Sequence, residues 1–85
     1  MRLPLIKHIV QFIKTKDEDY VYEVIKFLED LTECESIKDD ELNVIGEILS
    51  NSYGALEVKG SMNQGNSEKA AMNEFMKRVM GSIDR

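Results

Sequence analysis

The residues able to do chemistry are few and scattered. His8 is the only histidine, and no second histidine, adjacent nucleophile or E-x-x-H spacing accompanies it, so neither a general base nor a metal pair is encoded around it. It falls at the border of an apolar arc near Phe12, where a boundary histidine suffices. Cys34 is the only cysteine, which excludes an internal disulfide and a cysteine-based zinc site and fits a reducing interior. A lone thiol could still be a redox group, but Glu33 and Glu35 flank it with the charge that opposes thiolate formation, and an inert cysteine is the simpler reading. No catalytic residue, cofactor site or metal site is therefore assigned.

Acid runs occur at 17–19 and 39–41, but neither has the D-x-D-x-D-G spacing or the closing glutamate of a calcium loop. Both precede helical patterns, where carboxylates cap and complement the helix dipole. Met72, Met76 and Met80 recur every four residues, a spacing that suits a soft binding stripe or, more simply, one buried helix face. Lys69, Lys77, Arg78 and Arg85 could meet phosphate, yet Glu68 and Glu74 interrupt them and no aromatic residues interleave; nucleic acid is not the expected partner.

Charge distribution supports this. Net charge is −5, and residues 17–41 hold eleven acids against Lys26 and Lys38, while residues 1–16 hold Arg2, Lys7, Lys14 and Lys16 without an acid. Such an acidic middle repels a polyanion. The basic first helix could rest on an anionic membrane, but a thin core needs its apolar arc. Lys7 and His8 interrupt any signal-peptide core, and no run approaches a membrane span, so the expected location is cytoplasmic.

The elements that position these residues are all helical, and 42% hydrophobic content is enough to fold 85 residues as a single domain over 1–85. The first helix opens at Leu3 or Pro4 and closes near Thr15, with Leu5, Ile6, Ile9, Val10, Phe12 and Ile13 on one arc. T-K-D-E or Asp17 caps the second, which gathers Tyr20, Val21, Val24, Ile25, Phe27, Leu28 and Leu31 on its buried side. The third opens with S-I-K-D or Asp39 as cap and ends at Lys59 or Met62, Gly60 and Gly65 shaping the loop that follows. Asn66 or Ser67 caps the fourth, whose buried arc holds Ala71, Met72, Phe75, Met76, Val79, Met80 and Ile83.

The third helix is apolar over more than half its circumference, which predicts an all-α, small four-helix bundle with that helix at its centre. Its remaining strip carries Gly46, Ser50 and Gly54 at intervals of four, with Tyr53 at the edge. Glycine costs a helix interior about 1 kcal/mol relative to alanine, so a bare strip implies close approach by another helix, internal or from a second copy of the chain. Gly46, Ser50, Tyr53 and Gly54 are the candidate interaction residues, and a homodimer is the expected form.

P-L-I-K-H at 4–8, D-E-L-N-V-I-G-E at 40–47, S-Y-G-A-L-E-V at 52–58 and F-M-K-R-V-M-G-S-I-D at 75–84 together resemble a bacterial domain-of-unknown-function family of short, uncharacterised all-helical proteins. The resemblance spans nearly the whole chain and implies no catalytic residues. Through the gene neighbours associated with that family it implies a protein partner of thioredoxin or peroxiredoxin type. The function expected is a small interaction or accessory module without catalysis. A thiol-redox accessory acting through Cys34 and a nucleic-acid-binding helical domain are the competing classes.

Overall fold

Proline at the start of the first helical pattern does what its chemistry dictates: Pro4 occupies the first turn of α1 (Leu3–Thr15), where its missing N–H would have had no partner. A computed structural model describes residues 2–83, with side chains through Val79. α1 ends where Lys16 becomes extended and its N–H, like the Thr15 hydroxyl, donates to the Phe12 carbonyl. α2 (Glu18–Leu31) is capped by Asp17, whose carboxylate accepts from the Asp19 N–H at 3.2 Å. Glu18 and Asp19 face the positive end of its dipole.

α3 (Asp39–Asn63) is a 25-residue rod, about 37 Å long at 1.5 Å per residue. Its start uses neither Ser36 nor the Asp39 side chain as cap. Lys38 sits at the cap position, and Glu41 reaches back to accept the Lys38 N–H at 2.9 Å, giving one half of a capping box. The helix is continuous through residues 52–54 and also through Gly60, which is an interior residue and not a terminator. The terminator is Gly65, at φ +106°, a backbone region that only glycine occupies without strain. Ser67 then caps α4 (Glu68–Ile83) by accepting from the Ala70 N–H at 3.1 Å.

Side-chain contacts fix the directions. Arg2 lies at the level of Glu47 and Asn51, and Ile6 at Gly54, so α1 runs parallel to α3. Glu18 meets Lys59 and Asn63, while Glu29 meets Tyr53; α2 is therefore antiparallel to α3. Glu68 meets Gln11 and Lys14 near the end of α1, whereas Phe75 covers Gly54 beside Ile6, so α4 runs antiparallel to α1 and hence to α3. The result is an up-down-up-down arrangement in which α3 touches each of the other three helices, α1 most extensively. It is the expected all-α bundle with a central third helix.

The bundle is flat, 42 × 35 × 17 Å. Ile6, Val10 and Ile13 of α1, Ala55 and Val58 of α3, Ala71, Met72 and Phe75 of α4, and Val21 and Ile25 of α2 form its core. One polar residue is fully buried among them. Asn51 accepts the Arg2 N–H at 2.8 Å through Oδ1 and donates to the Glu47 carbonyl at 2.7 Å through Nδ2. Arg2 Nε also meets the Glu47 carboxylate at 3.0 Å. Three groups thus pin the start of α1 to one place on α3.

That placement corrects one expectation. The wide apolar arc of α3 predicts a helix enclosed by its neighbours, but α1 begins level with Asn51, and the seam it covers further on is bare before it. Val44 is 59% and Ile48 40% exposed, whereas Ala55 and Val58 on the same side are fully buried. Replacing the amide that sets this register is the direct test: Asn51→Leu should cost about 1–3 kcal/mol, because the Arg2 N–H loses its acceptor in a partly buried place, measured by urea unfolding with an unchanged m-value.

Candidate interaction surfaces

The groups with chemical potential stay apart in the fold. His8 is exposed on α1, and Cys34 is exposed in the loop between α2 and α3, its N–H donating to the Leu31 carbonyl. No three His, Cys, Asp or Glu side chains gather to hold a metal among the described residues. Asp17, Asp19 and residues 39–41 stand at helix starts, and Asp17 and Glu41 make capping bonds. Arg78 is engaged by Glu57 and lies 5.9 Å over the Phe75 ring. Met72 is buried and Met76 packs against the core; the side chain of Met80 and residue Arg85 lie outside the described residues, as does the Ile83 side chain. No described helix is long and apolar enough to cross a membrane.

The strip on α3 is divided by its surroundings. A Cβ built on Gly54 would lie 2.9 Å from Phe75 Cζ and 3.4 Å from Ile6 Cδ1, so this glycine admits two side chains of its own bundle and not a foreign backbone. Ser50 is half-buried. Gly46 has nothing within 4 Å of a built Cβ, and neither does Gly60 one helical face along. Gly46, Tyr53 and Gly60 consequently mark the side of α3 left open between α2 and α4.

Over that open side lie two clefts that share Glu57 and Phe75. The smaller, about 350 Å³, is walled by Tyr22 of α2 and Phe75 of α4 above Tyr53 and Gly54; the larger, about 980 Å³, continues past Gly60 along α4. Tyr53 is 46% exposed and donates its hydroxyl hydrogen to the Glu29 carboxylate, a bond that ties α3 to α2. That bond, with the negative charge behind it, holds the Tyr53 phenol above its ordinary value of 10.0.

The larger surprise is α2. Its apolar arc was expected to be one buried side, but only Val21 and Ile25 are buried, while Tyr20 is 57%, Val24 40% and Phe27 62% exposed. The physical reason is angular. At 100° per residue Tyr20, Val24 and Phe27 form a stripe about 100° away from Val21 and Ile25, too far round for one neighbouring helix to cover both. Phe12 of α1, 38% exposed, extends the stripe by packing its ring 5.8 Å from that of Tyr20. The width of the arc was the available signal. Tyr22 points the other way, into the cleft beside Tyr53.

A model described as "Family of unknown function (DUF6952)" matches residues 1–84. No curated protein and no solved structure matches the chain.

Two measurements check this geometry. Gly46→Ala and Gly60→Ala should each stabilise the helix by up to about 1 kcal/mol, whereas Gly54→Leu should cost about 1–3 kcal/mol by displacing Phe75, all read from chemical denaturation. Tyr53 should ionise at higher pH in the wild type than in Glu29→Gln, followed by phenolate absorbance. Because its folded value is raised, the associated stability is complete below the unfolded value near 10 and is lost as pH rises through the folded one.

Proposed function

The chain belongs to this family of unknown function, and from that premise we propose that it is a small cytoplasmic protein-interaction module without catalytic activity. The observation that carries the reading is the exposed aromatic and aliphatic stripe of α2. Isolated apolar side chains on a surface need no explanation, but Phe12, Tyr20, Val24 and Phe27 form a contiguous row on an ordered element, the kind of surface a partner covers. Two large aromatic residues more than half exposed are the side chains that anchor interfaces.

Self-association has its own support. Gly46 and Gly60 have open space where a Cβ would stand and could admit a second backbone, so the homodimer reading rests on that side of α3 rather than on Gly54. The partner class suggested by the family resemblance, thioredoxin- or peroxiredoxin-like proteins, is one test panel for the stripe. The alternative of a thiol-redox accessory draws on the exposure of Cys34 in its loop. Rapid thiol alkylation near neutral pH would favour that alternative.

The deciding experiment is affinity capture with tagged wild type, Phe27→Ser and a Gly46→Leu variant, alongside light scattering. The expected result is a protein captured by wild type and Gly46→Leu but lost with Phe27→Ser, and an oligomer reduced only by Gly46→Leu. Identical capture by wild type and Phe27→Ser would remove the stripe as an interaction surface, and a wild-type monomer would remove the dimer.

A further inference from the structure

Resting on the reading of α2 as an interaction surface, we infer that its Tyr20–Val24–Phe27 stripe docks a cationic amphipathic helix of a partner protein. Charge complementarity identifies the occupant. Asp19, Glu23 and Asp30 lie on the flank of α2 next to the stripe, at about 65–110° from its centre line by the helical repeat. The segment that contains them, residues 17–41, holds eleven acids against two lysines.

Four acids already have work within the fold. Glu18 meets Lys59, Glu47 meets Arg2, Glu57 meets Arg78 and Glu68 meets Lys14. By contrast, Asp19, Asp30, Glu33, Glu35 and Asp39 have no cation within ion-pair reach among the described residues. Glu23 has only the exposed Lys26, 3.6 Å away. An apolar row edged by uncompensated carboxylates selects a binder with the inverse pattern: leucine-like residues at i, i+3, i+4 and i+7, with lysine or arginine along the border.

The same charges decide between occupants. A second copy offering its own α2 would set two strongly acidic segments against one another. An anionic lipid surface or a nucleic acid would be repelled for the same reason. The basic first helix of a second copy does not serve either, since its Ile6, Val10 and Ile13 are buried in its own core and its Lys14 is held by Glu68. A foreign cationic helix satisfies both the row and its border.

Fluorescence anisotropy on the full chain tests this with a labelled synthetic helix of leucine and lysine in that pattern. Controls are a scrambled peptide of the same composition and a version with glutamate in place of lysine. The expected result is binding by the patterned cationic peptide that weakens with salt, about tenfold or more weaker binding by the scrambled peptide, and none by the acidic one. Phe27→Ser should weaken it about tenfold, and Asp19→Asn with Asp30→Asn should flatten its salt dependence. Val24→Lys is a second stripe variant should Phe27→Ser lose its helical circular dichroism.

Equal binding of the scrambled peptide would overturn the proposal by reducing it to bulk charge, as would binding unaffected by Phe27→Ser and Val24→Lys. A wild-type oligomer dissolved by Phe27→Ser would assign the stripe to a second copy instead. Failure of the cationic peptide with stripe-dependent capture of an acidic or neutral protein would end this inference alone. Failure of both would end the interaction reading beneath it.

Discussion

A helix can be enclosed only by as many neighbours as the chain supplies, and this chain supplies three to α3. They are placed unevenly: α1 lies along one side, α4 next to it at Gly54, and α2 on the far side through Lys59 and Tyr53. The side facing away from α1, between α2 and α4, receives nothing, and the first half of the rod runs on beyond the start of α1. A thickness of 17 Å is the direct result, since helices of about 10 Å diameter laid side by side make a plate and not a cylinder.

Polar groups set the register that apolar packing alone leaves free to slide. Asn51 specifies where α1 starts, because a one-turn shift would bury its amide without the Arg2 N–H. Glu68 receives Gln11 at 3.0 and 3.1 Å and Lys14 at 3.2 Å, fixing the far end of α1 against the start of α4. Glu18 accepts from Asn63 at 2.7 Å and lies 3.6 Å from Lys59, fixing the start of α2 against the end of α3. Exposed pairs of this kind add little stability each, but they distinguish one alignment from its neighbours.

Helix number, order and approximate ends were legible in the sequence because Pro4, Asp17 and Ser67 act locally, through groups within a turn of themselves. The centrality of α3 was legible from its wide apolar arc. What periodicity does not encode is whether a neighbour exists for each apolar face, so Tyr20, Val24 and Phe27 read as core and are surface, and Val44 and Ile48 on the apolar arc of α3 are surface too. Spacing by four likewise grouped Gly46, Ser50 and Gly54, although the feature separating them is Phe75, twenty-one residues after Gly54. The role of Asn51 had no local signature, since its partner is forty-nine residues away.

The narrow edge by which α2 is held, Val21 and Ile25 with a few bonds at each end, gives the native ensemble a preferred excursion. Swinging α2 aside gives up the burial of Val21 and Ile25 and the half-burial of Leu28 and Leu31 but leaves the joint of α1, α3 and α4 whole, so this element is expected to open before the rest unfolds. Its amides should then exchange with solvent faster than those of Ala55 and Val58. The helix proposed as the docking surface is then also the one freest to breathe.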